Sequence, residues 1–322
     1  MPQSVGNNAM LTCPRCLAMT PLAFKPACCP RCGLQDLMRT AQMRPIERRA
    51  ARGVYTIDEV VAYGDLCNLH RCRSTSLFRE HHAIIKIPRD SQANAYMRSE
   101  AHALRRLLEQ DRLHHFAPFL PTCLESIDII DEPGREPRVA NVLAFFAPPE
   151  EFHTLAKLRE FFPRGLDPKH MAWIWRRLLN VLRFVHDSGV SHNAILPIHV
   201  LIEPKEHKLI VVGWCSAHCT GSPNSSRLMS GSYVNWYSRA THSGPQLDIS
   251  FAARCMLELV GGNGATPSSP DSLDPVFKRY FARCLNPSAT ESNNAHKLLE
   301  DFDHLIEILW GPRRFRPLEL PV

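Results

Sequence analysis

The chain has 322 residues, with 38 Lys and Arg against 32 Asp and Glu, a formal charge of +6, and 44% apolar residues. That composition excludes a disordered or fibrous chain and supplies enough apolar surface for a substantial core. No run approaches the roughly 18 uncharged apolar residues that a membrane span requires. The opening MPQSVGNNAM has neither the basic start nor the apolar centre of a secretory leader. The expectation is therefore a cytoplasmic protein with reduced thiols and no membrane partner.

The charge is uneven. Residues 1–53 carry eight basic side chains against Asp36 and Glu47, whereas residues 54–322 balance 30 against 30. Five of the twelve cysteines crowd into residues 13–32. Cys13-Pro-Arg-Cys16 and Cys29-Pro-Arg-Cys32 form a C-x2-C-x12-C-x2-C pattern. Two such tight pairs place four thiolates around one tetrahedral ion, so Cys13, Cys16, Cys29 and Cys32 are predicted ligands of a structural Zn²⁺. Gly33 follows the second pair and permits the backbone turn. The pattern resembles a zinc ribbon over residues 1–38, too small and polar to fold without its metal. Cys28 is a spectator thiol, and the seven later cysteines read as buried free thiols. With the ion bound, four thiolates lower the charge of the head to about +4.

Residues 39–54 follow as a basic linker or short helix. Its arginines make residues 39–52 a candidate contact for nucleic acid through phosphate attraction. Phe24 is the only aromatic side chain in residues 1–53, so a base-stacking platform is not expected there.

In the body, Tyr55–Tyr63 and the segment after Gly64 read as strand, turn and strand. His82–Pro88 is an apolar strand interrupted by one lysine. Asn94–Gln110 has helical spacing at Met97, Ala101, Leu104, Leu107 and Leu108. Val139–Phe146 is a buried strand. Asp167-Pro168 supplies an N-cap and a first-turn proline for a core helix through Val185. Val200–Ile202 and Leu209–Val212 are short strands around a polar turn. Apolar helices follow at Asp248–Val260, Pro275–Leu285 and Asn294–Trp310. Strands first and helices after predict an α+β body.

Four segments at the joints of that order resemble the protein kinase superfamily. Ala83-Ile-Ile-Lys86 is similar to the family's V-A-I-K strand, and Glu100-Ala-His-Ala-Leu104 to the helix that supplies the lysine's carboxylate partner. Ser191 to Leu201 resembles the H-R-D-L-K-P-x-N-V-L loop, and Asp248 to Leu259 the D-I-W-S helix. The closing Trp310-Gly-Pro-Arg-Arg-Phe-Arg-Pro317 is similar to a phage or bacterial kinase-like group. The resemblance implies a bilobal kinase-like fold, with an N-lobe over residues 55–148 and a helical C-lobe over 149–322. It implies a nucleotide site in which Lys86 and Glu100 clamp phosphates and Asp248 braces the loop; read from the residues alone, Lys86 and Glu100 are a structural salt bridge between a strand and a helix, and Asp248 braces backbone or caps a helix.

The departures fall on the chemistry of phosphoryl transfer. The family's catalytic Asp aligns with Ala194, its magnesium-binding Asn with His199, and its D-F-G triplet with Gly213-Trp214-Cys215. The glycine-rich loop is reduced to Gly64, and a structural ion pair is replaced by Ala240 and Glu291. The pattern predicts a pseudokinase-like interaction or regulatory module with no catalytic residues and a protein partner, and it leaves ATP and Mg²⁺ doubtful at a degenerate nucleotide site. Two alternatives stay open: an atypical ATP-binding Ser/Thr kinase, using carboxylates such as Asp65, Asp128 or Asp131, and a zinc-ribbon factor associated with nucleic acid or a polymerase.

Overall fold

Short antiparallel strands β1 (Met10–Thr12) and β2 (Met19–Pro21) open the chain in the computed structural model. The structure describes all residues except 1–9, 15, 22–25, 38–45, 52, 75–81, 131–133, 149–150, 223–230, 239, 241–242, 287–294 and 322. The architecture is mixed α+β and divides into two compact units. Unit 1 comprises Met1–Ala101 and Cys123–Ala144; unit 2 comprises His102–Thr122 and Phe145–Val322.

Unit 1 is built on a six-stranded sheet. Its strands are β3 (Ile46–Ala50), β4 (Gly53–Tyr63), β5 (Cys67–Ser74), β6 (His82–Pro88), β7 (Thr122–Ile129) and β8 (Arg138–Phe145). They lie in the order β3-β4-β5-β6-β8-β7. Residues 46–50 thus correct the linker expected over 39–54. They pair antiparallel with β4 as an edge strand, Arg48 opposite Tyr55 and Arg49 opposite Val54. A strand paired along one edge needs little apolar content. Hydropathy therefore carries no signal for it.

Alternation in β4 points Tyr55 and Ile57 inward, and a register shift after Ile57 turns its far end outward, leaving Val61 and Tyr63 exposed. Every residue of β8 is buried, including Arg138 and Asn141. Helix α1 (Asn94–Gln110) follows a turn capped by Asp90, whose carboxylate accepts from the Gln92 amide at 3.0 Å. Asn94 joins the helix start to β8: its Oδ1 accepts from Val139 N at 2.8 Å and its Nδ2 donates to Pro137 O at 2.8 Å.

Unit 2 holds β9 (His153–Thr154), β11 (Val200–Glu203) and β12 (Lys208–Val211) in one sheet, with β10 (Val190–Ser191) and β13 (His218–Cys219) paired separately. Its helices are α2 (Leu155–Phe161), α3 (Pro168–Asp187), the single turn α4 (Val234–Ser238), α5 (Pro245–Leu259), α6 (Pro275–Leu285) and α7 (Ala295–Trp310). Asp167 caps α3 by accepting from Lys169 N at 2.9 Å. Asp274 caps α6 in the same way, at 2.7 Å from Val276 N. Helices α3, α6 and α7 meet through aromatic side chains: Trp175 lies 5.4 Å from Phe281, and Tyr280 lies 5.1 Å from Phe302. The Trp175 indole donates to Tyr280 Oη, which donates onward to Leu298 O, so the polar ends of both rings are satisfied inside the core. No helix among the described residues is long and apolar enough to cross a membrane.

Candidate functional site

The cysteine pairs build two similar turns. Leu17 N donates to Cys13 O and Cys13 N to Ala18 O; Gly33 N donates to Cys29 O and Cys29 N to Leu34 O. The residue after each pair is left-handed, at φ +57° for Leu17 and +68° for Gly33. Glycine takes that conformation freely, whereas leucine is strained in it. Leu17 is retained because its side chain is buried in the sheet's core with Tyr55, Ile57 and Ile85.

The four predicted ligands converge. Their sulfurs lie within 4.8 Å of one another, with 3.6 Å between Cys13 and Cys32 and 3.7 Å between Cys16 and Cys29. A tetrahedron with metal–sulfur bonds of about 2.3 Å has an edge of about 3.8 Å, so the spacing fits a metal ion such as zinc. Hydrogen bonding with Cys13 and burial push the Cys16 thiol far up, and burial raises Cys32. Four thiolates in so small and dry a volume need a cation. All four ligands are buried and no further donor among the described residues belongs to the group, which is the closed arrangement of a structural site. Cys28 is exposed and lies outside it.

The cluster is anchored to unit 1's sheet. Arg138, 2% exposed on β8, donates to Cys16 O and to Pro88 O, and Arg31 donates to Arg89 O. Seven of the eight basic side chains in residues 1–53 lie outside the description, those of Arg48 and Arg49 among them, and so does most of the 39–52 segment.

Lys86 and Glu100 also meet within unit 1. Lys86 Nζ lies 2.8 Å from Glu100 Oε1, and the side chains are 11% and 0% exposed. Asn141 Nδ2 donates to Glu100 Oε2 at 3.1 Å and to Met97 O at 2.9 Å, so both carboxylate oxygens are engaged. The sequence reading missed Asn141 and Arg138. Each is a polar residue inside an otherwise apolar run, Arg138-Val-Ala-Asn-Val-Leu-Ala-Phe145, and that interruption was the available signal.

In unit 2 the segment 191–199 is bonded inward. Asp248, fully buried in the first turn of α5, accepts from Asn193 N at 2.6 Å, His192 N at 2.8 Å and His186 Nε2 at 3.0 Å. These bonds hold Asn193 at φ +59°. His192 Nε2 donates to Val212 O at 2.9 Å while its Nδ1 accepts from Ala194 N at 3.2 Å, which assigns the neutral ring. His199 Nδ1 donates to Ala194 O at 2.8 Å. The ring of His199 also closes on Gly213, where a Cβ would lie 2.4 Å from it and φ is +82°. Trp214 is fully buried, bonds Val211 O through its indole, and stands edge-on to His192 at 4.5 Å.

Ala194 is a buried methyl that can neither accept a proton nor hold a metal. Among the described residues, only the four cysteines form a group able to hold a metal ion. Asp65 and Asp128 are exposed, and Asp131 and Glu291 lie outside the description. Cys215 and Cys219 are buried, and burial raises the Cys219 thiol. No protein-family model and no curated protein matches the chain.

Proposed function

We propose that the protein is a catalytically silent, kinase-like interaction module stiffened by a structural zinc ion. One observation carries this reading. The Asp248 brace persists with three donors on its carboxylate, while the segment it braces presents a methyl at Ala194 and a self-bonded imidazole at His199. Phosphoryl transfer requires a group that orients the attacking hydroxyl and oxygen ligands for Mg²⁺, and those two positions supply neither. The Lys86–Glu100–Asn141 network ties β6, α1 and β8 together.

A rigid framework from which reacting groups are missing suits recognition of a protein partner. The cysteine cluster contributes by holding Leu17 and the Cys16 carbonyl against the sheet. Zinc fits because four thiolates select a soft, tetrahedral ion.

The test is γ-phosphoryl transfer from ATP to the protein itself and to a generic basic substrate, beside a Lys86→Met control. The expected result is equal background incorporation in both, with no magnesium-dependent thermal shift on adding ATP. Incorporation above the control would favour the atypical-kinase alternative and end this proposal.

A further inference from the structure

Unit 2 contains a cavity of about 980 Å³ that neither the cysteine site nor the braced segment uses. It lies between the start of α3, the end of α7 and the closing segment 311–316. Six cations line it: Lys169, Arg176, Arg177, Arg313, Arg314 and Arg316. No Asp or Glu is among its described lining residues. Asp303 is shared by Arg176 and Arg313, the latter at 2.7 Å, and Asp167 pairs with Arg316 at 3.0 Å. Lys169, Arg177 and Arg314 have no carboxylate partner among the described residues. Two carboxylates against six cations leave about four positive charges on a body whose formal charge is balanced.

Aromatic faces alternate with these cations. Lys169 Nζ lies 5.9 Å from the Trp310 ring, and the Arg177 guanidinium lies 6.0 Å from the Phe119 ring. Phe315 is 67% exposed and backs onto His207 at 4.6 Å; His207 in turn stacks on Trp173 at 4.0 Å. The His207 ring donates to Arg316 O at 2.7 Å, and Leu318 N donates to Pro204 O at 3.1 Å. The closing segment is thus tied down just beyond the point where Arg313, Arg314 and Phe315 meet the cavity.

We infer that this cavity binds single-stranded nucleic acid, with phosphates on the unpaired cations and unpaired bases on Trp310 and Phe315. Alternating positive and aromatic side chains match a strand's repeat of phosphate and base face. A duplex hides its base faces, and an acidic peptide has none. The volume holds a few nucleotides, and the site is independent of the kinase-like reading.

The experiment is fluorescence anisotropy of a labelled twelve-residue oligouridylate with the full, zinc-loaded chain. Binding should weaken steeply with salt. Lys169→Glu/Arg314→Glu changes two side chains that hold no ion pair among the described residues, and should weaken binding at least about tenfold while lowering the log–log salt slope by about 1.4. Phe315→Ala should cost about tenfold with little change in that slope. Arg39→Glu/Arg44→Glu, in the basic segment of the N-terminal head, should leave affinity within about twofold. The inference is overturned if the Lys169/Arg314 variant binds as the parent does, or if the head variant alone abolishes binding. It is equally overturned if a duplex or a twelve-residue oligoglutamate binds as tightly.

Discussion

Replacing Lys86 by methionine tests whether its pair with Glu100 holds unit 1 together. The 2.8 Å separation corresponds to a gross attraction of about 6 kcal/mol at an effective dielectric of 20, most of it offset by desolvation. The larger effect comes from what remains. Glu100 is fully buried, and losing Lys86 leaves its charge with Asn141 as the one side-chain donor still seen on it. Removing one partner of a buried pair costs about 3–5 kcal/mol. Lys86→Met/Glu100→Gln removes the charge and keeps an oxygen for Asn141, so it should recover most of that loss. Tryptophan fluorescence is unsuitable because all five tryptophans belong to unit 2. Amide hydrogen exchange of β6 and the first turns of α1 is the assay, and protection there should fall by about 150-fold or more in the single variant. A fall below about fivefold, or a double variant no better protected than the single one, would refute the reasoning.

Asp248→Ala should destabilise unit 2 by about 3 kcal/mol or more, since it strands the buried amides of His192 and Asn193 and the His186 ring. Urea unfolding followed by tryptophan emission reads this directly, because Trp214 stands on His192. Zinc should be present at one ion per chain, and Cys16→Ser should abolish that stoichiometry and expose residues 10–37 to protease; metal analysis beside limited proteolysis checks both. Burial lowers His70 below its ordinary value of 6.5, so the folded protein keeps the ring neutral where the unfolded chain takes up a proton. Its contribution is therefore complete above about pH 6.5 and is lost on acidification toward the folded-state value, by up to about 1.4 kcal/mol per pH unit. His170 and His207 shift the same way, chiefly through burial. Calorimetry across that range should show His70→Leu with a shallower acid limb than the parent, and identical limbs would count against this assignment.

Much of the local structure follows from short-range patterns. The spacing of apolar residues predicts α1 over Asn94–Gln110 and α6 over Pro275–Leu285, and both form over those residues. Such helices are legible because a 3.6-residue period and a capping side chain lie within one segment. The metal ligands are legible for the same reason, since each C-x2-C turn is local and only the meeting of two turns is tertiary. Strand β3 was not legible: its partner is β4, and edge pairing through the backbone leaves no hydrophobic signature.

By itself the sequence determined the cysteine pairs, the longer helices and the longer apolar strands, and the residue types at Ala194 and His199. These are properties of spacing and identity, so they survive any arrangement in space. Only the tertiary structure decided that Leu17 accepts a strained backbone to fill the sheet's core, that Arg138 and Asn141 are buried donors, and that Asp248 serves three donors at once. It also decided where the charge lies. Counting places the whole surplus in the head, but folding gathers residues 169–177 and 313–316 around one cavity. Coulomb forces depend on distance, not on position along the chain, so a body that is neutral by sum carries a strongly positive site.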